Sequence, residues 1–434
     1  NEVFMYLDRT TSKIGQQILY QVLRTIPTHS NRVGKFEKII QILKGNADTF
    51  DQVRIEIANL KHKDAYNIPS LFLEKHLQKP KWFWVMPMLS MMSICLIALS
   101  FVLPQALIFL FLLLAINLGF HYWNKIHMFR YSSSIPQLLK LNQAAKKIAM
   151  LPEMLAVDPD ILHAIKSIDG LGVQMSLFKL EAKLQSEIGM AIEYVVELLK
   201  ALFLIEPLVL YHVLGKLDSQ RAQMQQLYHY VGDIDVAMSI HFLREDLPYC
   251  CIPTTLPDEK QIKVADIYHP LIYESVANSI HLDSQSALLT GSNMSGKTTF
   301  IRTMGINVIL AQTLNTCCAK SFFAPTLKVH SAIRISDDLI SDKSYYMEEV
   351  QTIHALLKES DSGFGNLFLL DELFKGTNTV ERIASGKAVL AYLNKGNNMA
   401  FVATHDLELA ELLADAFAVF HFTEVIQNGT ILFD

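Results

Sequence analysis

Charged residues are missing from one long stretch of this chain. Between Trp82 and Asn124 there are 43 residues without a single Asp, Glu, Lys or Arg. About eight would be expected if the chain's 19% of charged residues were spread evenly. The stretch is long enough for two apolar spans of roughly 20 residues, with Pro104 and Gln105 as the turn between them. This absence argues against an ordinary solvated surface and predicts a transmembrane helical hairpin.

The flanks of this hairpin support the same prediction and indicate its orientation. Aromatic residues of the kind that lie at membrane interfaces occur at both ends, with Trp82, Phe83 and Trp84 before it and Tyr122 and Trp123 after it. Basic residues flank both ends, and no acidic residue occurs between positions 125 and 152. We therefore expect residues 82–123 to attach the protein to the inner (cytoplasmic) membrane, with the other domains facing the cytoplasm. A buried hairpin in a soluble core is the alternative.

The chain also has few cysteines and no net positive charge. Five cysteines without any C-x-x-C spacing give no indication of a zinc site or a disulfide framework. A formal net charge of −5 excludes a strongly basic nucleic-acid-binding protein, so any contact with DNA must be local. No signal peptide is visible. Because the chain begins at Asn1 without a Met and stops in a strand-like run, we expect a fragment truncated at its ends.

The 434 residues are enough for several domains, and their pattern changes along the chain. Residues 1–81 predict a helical core, in which Thr11 and Ser12 precede an apolar stripe at helical spacing. Residues 125–250 predict a second helical region, the core and lever, with one long apolar face over residues 177–214. Prolines at positions 248, 253 and 257 indicate a linker, and residues 258–434 have an α/β composition.

The strongest functional pattern begins at residue 287, where a buried-strand sequence leads into a glycine-bounded loop and then a helix. Gly291, Gly296, Lys297 and Thr298 fill every fixed position of G-x-x-x-x-G-K-[ST]. Such glycines let backbone amides turn toward phosphate oxygens, and the helix that follows adds its positive dipole end. Lys297 can reach the β- and γ-phosphates, and the Thr298 hydroxyl can ligate Mg²⁺. The predicted ATP-binding residues are Gly291, Ser292, Asn293, Met294, Ser295, Gly296, Lys297, Thr298 and Thr299.

Two further strand patterns end in polar residues at the same predicted edge of the sheet. Residues 367–370 are apolar and run into Asp371 and Glu372, the Walker B pattern. Asp371 is predicted to hold Mg²⁺ together with Thr298, and Glu372 to orient the attacking water. Residues 400–404 form another strand pattern, which brings His405 to this edge as a second catalytic candidate. The alternatives are that Asp371 and Glu372 only face solvent and that His405 is structural. The fold class predicted is an α/β P-loop NTPase domain after a mostly α-helical core that carries the inserted hairpin.

At these residues the chain resembles the MutS family. Residues 290–299 resemble T-G-P-N-M-G-G-K-S-T, residues 344–349 resemble S-T-F-M-x-E, residues 371–378 resemble D-E-I-G-R-G-T-S and residues 404–409 resemble T-H-x-x-E-L. His269 and Pro270 match the dipeptide that opens the family's ATPase domain, and residues 7–15 and 232–235 resemble its core and lever region. The likeness covers nearly all of the chain and is greatest to a shorter, membrane-attached branch with the loop form S-N-M-S-G-K.

The resemblance implies a mechanism beyond that of the phosphate loop. ATPase domains of this family pair face to face, so the chain is expected to form a homodimer. Ser344 is expected to contact the nucleotide of the partner subunit, and Asn378 to lie in the loop that crosses the interface. A helix N-cap is an additional role for Ser344, because Glu348 and Glu349 follow at capping distance. Ser275 departs from the family pattern, since it stands where an adenine-stacking aromatic is common.

Together these features predict a membrane-attached, dimeric, Mg²⁺-dependent ATPase that switches a DNA-associated helical body, in mismatch repair or related DNA processing. The resemblance implies the DNA part, whereas the residues themselves indicate ATP, Mg²⁺ and a membrane. Two alternatives stay open: a transporter ATPase with fused membrane helices, and an ATP-gated membrane scaffold without a DNA role. Against the transporter, one hairpin is small for a translocation path, and residues 344–346 differ from the L-S-G-G-Q signature.

Overall fold

The chain folds into two compact units. The computed structural model describes residues 2–26, 32–73, 80–171, 190–255, 259–292, 295–333, 345–374, 377–427 and 430–433. One unit, here called the helical unit, contains residues 9–20 and 35–239. The other, here called the α/β unit, contains residues 1–8, 21–34 and 240–434.

Helices account for most of the described residues before the linker. They are α1 (Glu2–Leu7), α2 (Lys13–Arg24), α3 (Arg32–Gly45), α4 (Ala47–Ala58), α5 (Val85–Ser100), α6 (Ala106–His127), α7 (Phe129–Ala149), α8 (Pro152–Leu155), α9 (Ile161–Asp169), α10 (Met190–Leu202), α11 (Ile205–Leu217) and α12 (Arg221–Asp246), with 3₁₀ turns at Lys63–Leu71 and Asp218–Gln220. Most of the described residues in 1–81 and 125–250 lie in these helices.

Helix α2 begins where the sequence predicts. The Ser12 hydroxyl oxygen accepts a hydrogen bond from the Gly15 backbone N–H at 2.9 Å, which is an N-cap. Asp235 of α12 accepts hydrogen bonds from the Thr11 backbone N–H at 2.9 Å and from the Ser12 hydroxyl at 2.6 Å. Gly15 lies so close to Asp235 that a Cβ there would meet its carboxylate. Within the helical unit, two segments that carry the family resemblance therefore pack against each other.

The single long helical face predicted over residues 177–214 is wrong in its continuity. Residues 172–189 lie outside the described residues, and in the described part α10 ends at Leu202 and α11 begins at Ile205. Leu204 has a left-handed φ of +49°, and the two helical segments are bent by 72°. Pro207 is the third residue of α11, in the first turn, where a backbone N–H has no partner within the helix. A proline is therefore accommodated at this helix start, whereas it would disrupt a continuous helix.

The charge-free stretch forms helices α5 and α6, and their apolar side chains are mostly exposed. Phe101 is 87% exposed and Phe111 78% exposed. Among the described residues, α6 is the one helix that alone is long and apolar enough to cross a membrane, and α5 is a shorter apolar helix. Three polar residues of α6 are instead buried at 1% exposure or less: Asn117, His121 and Asn124. Their spacing of four and three residues places them on one face of the helix.

That buried polar face contacts the break between α10 and α11. The Asn117 side-chain amide donates to the Leu202 carbonyl oxygen at 2.7 Å and to the Ser93 hydroxyl of α5 at 3.1 Å. The Ser93 hydroxyl donates to the same carbonyl at 2.9 Å. Because α10 ends at Leu202, this carbonyl oxygen has no hydrogen-bond donor within its own helix. Asn117 and Ser93, two polar residues of the apolar hairpin, supply the missing hydrogen bonds.

The α/β unit is built around a parallel sheet. Its strands are β1 (Thr254–Thr255), β2 (Gln261–Ile267), β3 (Asn278–Asp283), β4 (Ser286–Gly291), β5 (Ser321–Ala324), β6 (Lys328–Ala332), β7 (Asn366–Asp371), β8 (Met399–Ala403), β9 (Phe417–Phe422), β10 (Glu424–Gln427) and β11 (Thr430–Phe433). Five of them form a parallel sheet in the order β6-β7-β8-β4-β9. A second sheet has the order β1-β5-β2-β3, and β10 pairs with β11.

Helices cover both faces of the five-stranded sheet, which explains why its strands read as continuous apolar runs. The helices are α13 (Lys297–Leu314), α14 (Tyr345–Ser360), α15 (Thr379–Leu393) and α16 (Leu407–Leu412). Leu289 and Phe401 face a core that includes Met304 of α13, whereas Leu288 and Phe368 face the opposite core. The strands predicted from residues 287, 366 and 400 onward are confirmed as β4, β7 and β8. Because β7, β8 and β4 are neighbours, their carboxyl ends meet at one edge.

Candidate nucleotide-binding site

The loop between β4 and α13 has the backbone that its glycines predict. Gly291 has φ of +135° and Gly296 has φ of +91°, both in the left-handed region. At Gly291 an added Cβ would lie 2.2 Å from the Phe422 carbonyl oxygen, so this position also requires glycine for space. The Lys297 side chain is buried, and its ammonium group donates to the carbonyl oxygens of Gly291, at 2.9 Å, and of Ser292. The loop therefore encloses a positive charge.

The two predicted magnesium ligands lie in contact at the edge of the sheet. Thr298, in the first turn of α13, donates its hydroxyl hydrogen to Asp371 Oδ2 at 3.0 Å. Asp371 is the last residue of β7. A hydroxyl and a carboxylate are the hard oxygen ligands that Mg²⁺ prefers, and the adjacent loop supplies the phosphate-binding groups. The chemistry of this donor pair fits the ion.

Glu372 and His405 are brought together from neighbouring strand ends. His405 Nε2 lies 3.0 Å from Glu372 Oε1. The Glu372 backbone N–H donates to the Ala403 carbonyl oxygen at 2.9 Å, and the Thr404 N–H donates to the Leu289 carbonyl oxygen at 3.0 Å. These two hydrogen bonds continue the sheet beyond the last paired residues. They fix the backbone that carries both predicted catalytic side chains.

A cavity of about 600 Å³ opens beside the loop. Its lining includes the phosphate-loop residues and Asp371, but neither Glu372 nor His405. The remaining wall is formed by the segment after β2 and by the ends of three strands, β2, β3 and β9. The lining residues there are Ile267, Ile272, Tyr273, Glu274, Ser275, Val276, Asn278 and Phe422. Tyr273 is 90% exposed, so most of its ring is available for contact with a ligand.

Tyr273 is the residue that sequence reasoning missed. The comparison of motifs directs attention to Ser275, which lines the cavity but serves the loop itself: its hydroxyl oxygen accepts a hydrogen bond from the His269 backbone N–H at 3.2 Å. Burial lowers the pKa of the His269 imidazole, and the positive charge of Arg302 lowers it further. An aromatic residue two positions before Ser275 was the available signal, although only the folded loop places it at the cavity.

Asn378 is placed as the N-cap of α15. Its side-chain oxygen accepts a hydrogen bond from the Glu381 backbone N–H at 3.0 Å. One turn into α15, Arg382 donates two hydrogen bonds to the Asp406 carboxylate, at 2.6 Å and 2.9 Å. Asp406 directly follows His405, so this ion pair anchors the loop that carries the histidine.

Three predicted site residues lie outside the described residues. They are Asn293 and Met294 of the phosphate loop and Ser344, the residue predicted to act on the partner's nucleotide. Of the remaining loop residues, Ser295, Gly296, Lys297, Thr298 and Thr299 line the cavity. The structure thus brings these loop residues together with Asp371.

The residues that form this site are similar to those of a known protein family. The family described as MutS domain V matches residues 287–434. The C-terminal region of the chain is therefore similar to the MutS family. The match begins in β4 and covers the phosphate loop, the two carboxylates that end β7, and His405. The similarity therefore includes Asp371 and the phosphate-loop residues that line the cavity.

Individual relatives carry the same name. The chain is 30% identical over 210 residues to the DNA mismatch repair protein MutS of Streptococcus agalactiae, an alignment that covers 46% of this chain and 24% of the relative. It is 31% identical over 222 residues to the protein of that name from Lactobacillus acidophilus, covering 48% and 26%. It is 28% identical over 287 residues to that from Rickettsia akari, covering 63% and 30%. The chain thus spans about a quarter to a third of the length of the curated MutS relatives it matches.

Proposed function

We propose that this chain is a Mg²⁺-dependent ATPase. The contact that carries the proposal is the 3.0 Å hydrogen bond between Thr298 and Asp371. It joins two hard oxygen donors at the mouth of a cavity of about 600 Å³ that the Lys297 loop lines. Pockets for small molecules typically measure about 300–1,000 Å³, so the cavity suits a nucleoside triphosphate.

Each side chain at the edge then has one role. The loop amides and the Lys297 ammonium group bind the β- and γ-phosphates of ATP. Thr298 and Asp371 would hold Mg²⁺, and the ion would supply positive charge to neutralise the phosphate oxygens. Glu372 orients and polarises the attacking water, and His405, 3.0 Å from that carboxylate, holds it in position. The nucleobase lies against Tyr273, whose exposed ring offers an aromatic face.

We further infer that the ATPase acts as a dimer in DNA processing. The support is the family likeness: the relatives are named DNA mismatch repair protein MutS, and the resemblance implies that Ser344 of one subunit contacts the nucleotide of the other. ATP binding would then pair two α/β units, and hydrolysis would release them. A helical body that binds DNA, in mismatch repair or related processing, would be the element that this cycle switches.

We also propose that α5 and α6 insert into the cytoplasmic membrane. In a soluble helix bundle the apolar side faces inward and the polar side faces water. Here the arrangement is reversed, because Asn117, His121 and Asn124 are buried while Phe101 and Phe111 are exposed. Buried polar residues behind an apolar exterior are typical of helices that face lipid.

The function is tested by measuring ATP turnover of the full chain with Mg²⁺, alone and with perfect, mismatched or branched duplex DNA. We expect Mg²⁺-dependent turnover that at least one of these DNA forms changes. The matched variants are Lys297→Ala, which should lose nucleotide binding, and Lys387→Ala, an exposed lysine of α15, which should behave as the parent.

Two outcomes contradict parts of the proposal separately. Equal ATP affinity in Lys297→Ala and the parent would contradict the assignment of the phosphate loop as the nucleotide site. Normal hydrolysis that no form of DNA changes would support the ATPase activity and contradict the DNA role. It would favour the alternative of an ATP-gated membrane scaffold.

A further inference from the structure

A second cluster of metal-ligating side chains lies in the helical unit, outside the nucleotide site. His121 of α6, Glu197 of α10 and Glu206 of α11 each place one donor atom within 4.8 Å of the other two. His121 is 1% exposed and Glu206 2% exposed. Three separate helices therefore direct a histidine and two carboxylates at one point inside the protein.

Two of these side chains have polar atoms without a partner among the described residues. The Glu206 Oε1 atom accepts a hydrogen bond from the Ser132 hydroxyl at 3.1 Å, whereas Oε2 accepts none. His121 Nε2 lies 3.3 Å from Glu197 Oε1, and its Nδ1 has no partner. A buried carboxylate oxygen without a hydrogen bond is costly, because the folded protein does not replace the hydrogen bonds that water makes to it in the unfolded chain. Something in the folded protein is expected to satisfy these atoms.

We propose that His121, Glu197 and Glu206 bind one divalent transition-metal ion. One imidazole nitrogen with two carboxylates is a donor set that suits Zn²⁺, Mn²⁺ or Fe²⁺ better than Mg²⁺ or Ca²⁺, which prefer oxygen donors alone. A tetrahedral ion with bonds of about 2.1 Å holds its ligand atoms about 3.4 Å apart. Side-chain movements of about one ångström therefore close the site.

The two lysines beside Glu197 are compatible with such an ion. Lys200 contacts Glu197 Oε2 at 3.3 Å and is buried, whereas Lys125 contacts Oε1 and its side chain is 44% exposed. An ion at Oε1 would displace the Lys125 ammonium group, which can turn into water at little cost. The carboxylate would then keep Lys200 on one oxygen and the metal on the other.

The site would connect the hairpin to the rest of the helical unit. His121 lies in α6, near the C-terminal end of the proposed hairpin, and the two glutamates lie on either side of the break between α10 and α11. A metal ion would thus hold α6 against the broken helix, beside the hydrogen bonds of Asn117 and Ser93 to Leu202.

The proposal is tested with the detergent-purified full chain, stripped by a chelator and titrated with Co²⁺ in excess Mg²⁺, so that the nucleotide site is occupied by Mg²⁺. We expect one Co²⁺ per chain with an absorption spectrum of nitrogen and oxygen ligation, and a rise in the thermal midpoint that the chelator reverses. Glu206→Gln, which keeps the shape of the side chain, should weaken Co²⁺ binding at least tenfold and abolish the rise. Glu197→Gln should do the same.

The matched control is His127→Gln, an exposed residue of the same helix, which should bind Co²⁺ as the parent does. Equal Co²⁺ affinity in the parent and in both glutamate variants would overturn the proposal. So would a spectrum dominated by thiolate charge transfer, because it would locate the ion at cysteines. A folded parent that binds no Co²⁺ would also overturn it.

Discussion

Glu372 combines an unusual backbone conformation with the position at which the attacking water is expected. Its φ of +52° is left-handed, and Phe374, two residues later, has φ of +59°. Such conformations cost a non-glycine residue about 1 kcal/mol or more. The hydrogen bond from the Glu372 N–H to Ala403 and the one from the Phe374 N–H to the Glu349 carboxylate keep the chain in this turn. The turn carries the Glu372 carboxylate to His405.

Glu372→Gln should therefore bind Mg²⁺ and ATP as the parent does but hydrolyse ATP about 100-fold more slowly or worse, because an amide cannot polarise the water as a carboxylate does. Single-turnover hydrolysis and equilibrium nucleotide binding measure the two effects separately. Glu411→Gln, at an exposed position of α16, is the control with the same chemical change. Parent-like turnover in Glu372→Gln would mean that another group orients the water.

At the scale of elements, buried amides connect the starts of the central strands at the edge opposite the nucleotide site. Asn398, 3% exposed, precedes β8, and its side-chain oxygen accepts hydrogen bonds from the Asn366 backbone and side-chain N–H groups at 3.1 Å and 2.9 Å. Its amide donates to the Ser360 carbonyl oxygen at 3.0 Å. One side chain thus links β7, β8 and the end of α14.

Asn398→Ala should lower the free energy of unfolding by about 2–4 kcal/mol, because it leaves buried donors and an acceptor unsatisfied. The neighbouring Asn397 is exposed, so Asn397→Ala should change it by less than about 0.5 kcal/mol. Denaturant unfolding followed by circular dichroism compares the two. Nucleotide affinity should be unchanged in both, since the substitutions lie at the far ends of the strands. Equal stability of the two variants would contradict the role given to the amide network.

At the scale of the whole molecule, the apolar exterior of α5 and α6 is the feature on which the proposed membrane location depends. Exposed phenylalanine and leucine side chains continue along α6, including Phe109 at 61% and Leu112 at 61% exposure. In water, so much contiguous apolar surface would favour aggregation. In a bilayer the same surface is stabilising, because lipid tails replace water around it.

The full chain should therefore sediment with membranes, resist extraction by high salt or carbonate, and be released by detergent. Phe109→Lys combined with Leu112→Lys should move it toward the soluble fraction, because each lysine near the centre of a span costs about 2.5–3.5 kcal/mol. Leu162→Lys, at a leucine of α9 that is 43% exposed, is the control and should not change the distribution. A parent that stays soluble would contradict the membrane proposal.

The sequence by itself determined the parts of this protein that depend on neighbouring residues. The phosphate loop, the strands that end at Gly291 and Asp371, and the cap at Ser12 follow from local spacing, because glycine conformations, strand periodicity and capping act over a few residues. The pair of apolar helices α5 and α6 could be predicted for the same reason, since it lies in one continuous apolar run.

Only the tertiary structure decided which distant side chains meet. The pairing of Glu372 with His405 depends on β7 and β8 being neighbours, and the place of Tyr273 at the cavity depends on how its loop folds back. The cluster at His121 joins residues 76 positions apart, His121 and Glu197. The break at Leu204 is likewise tertiary, because buried polar groups from two other helices satisfy the carbonyl that it frees. Long-range contacts of this kind depend on the packing of the whole unit and leave no fixed spacing in the sequence.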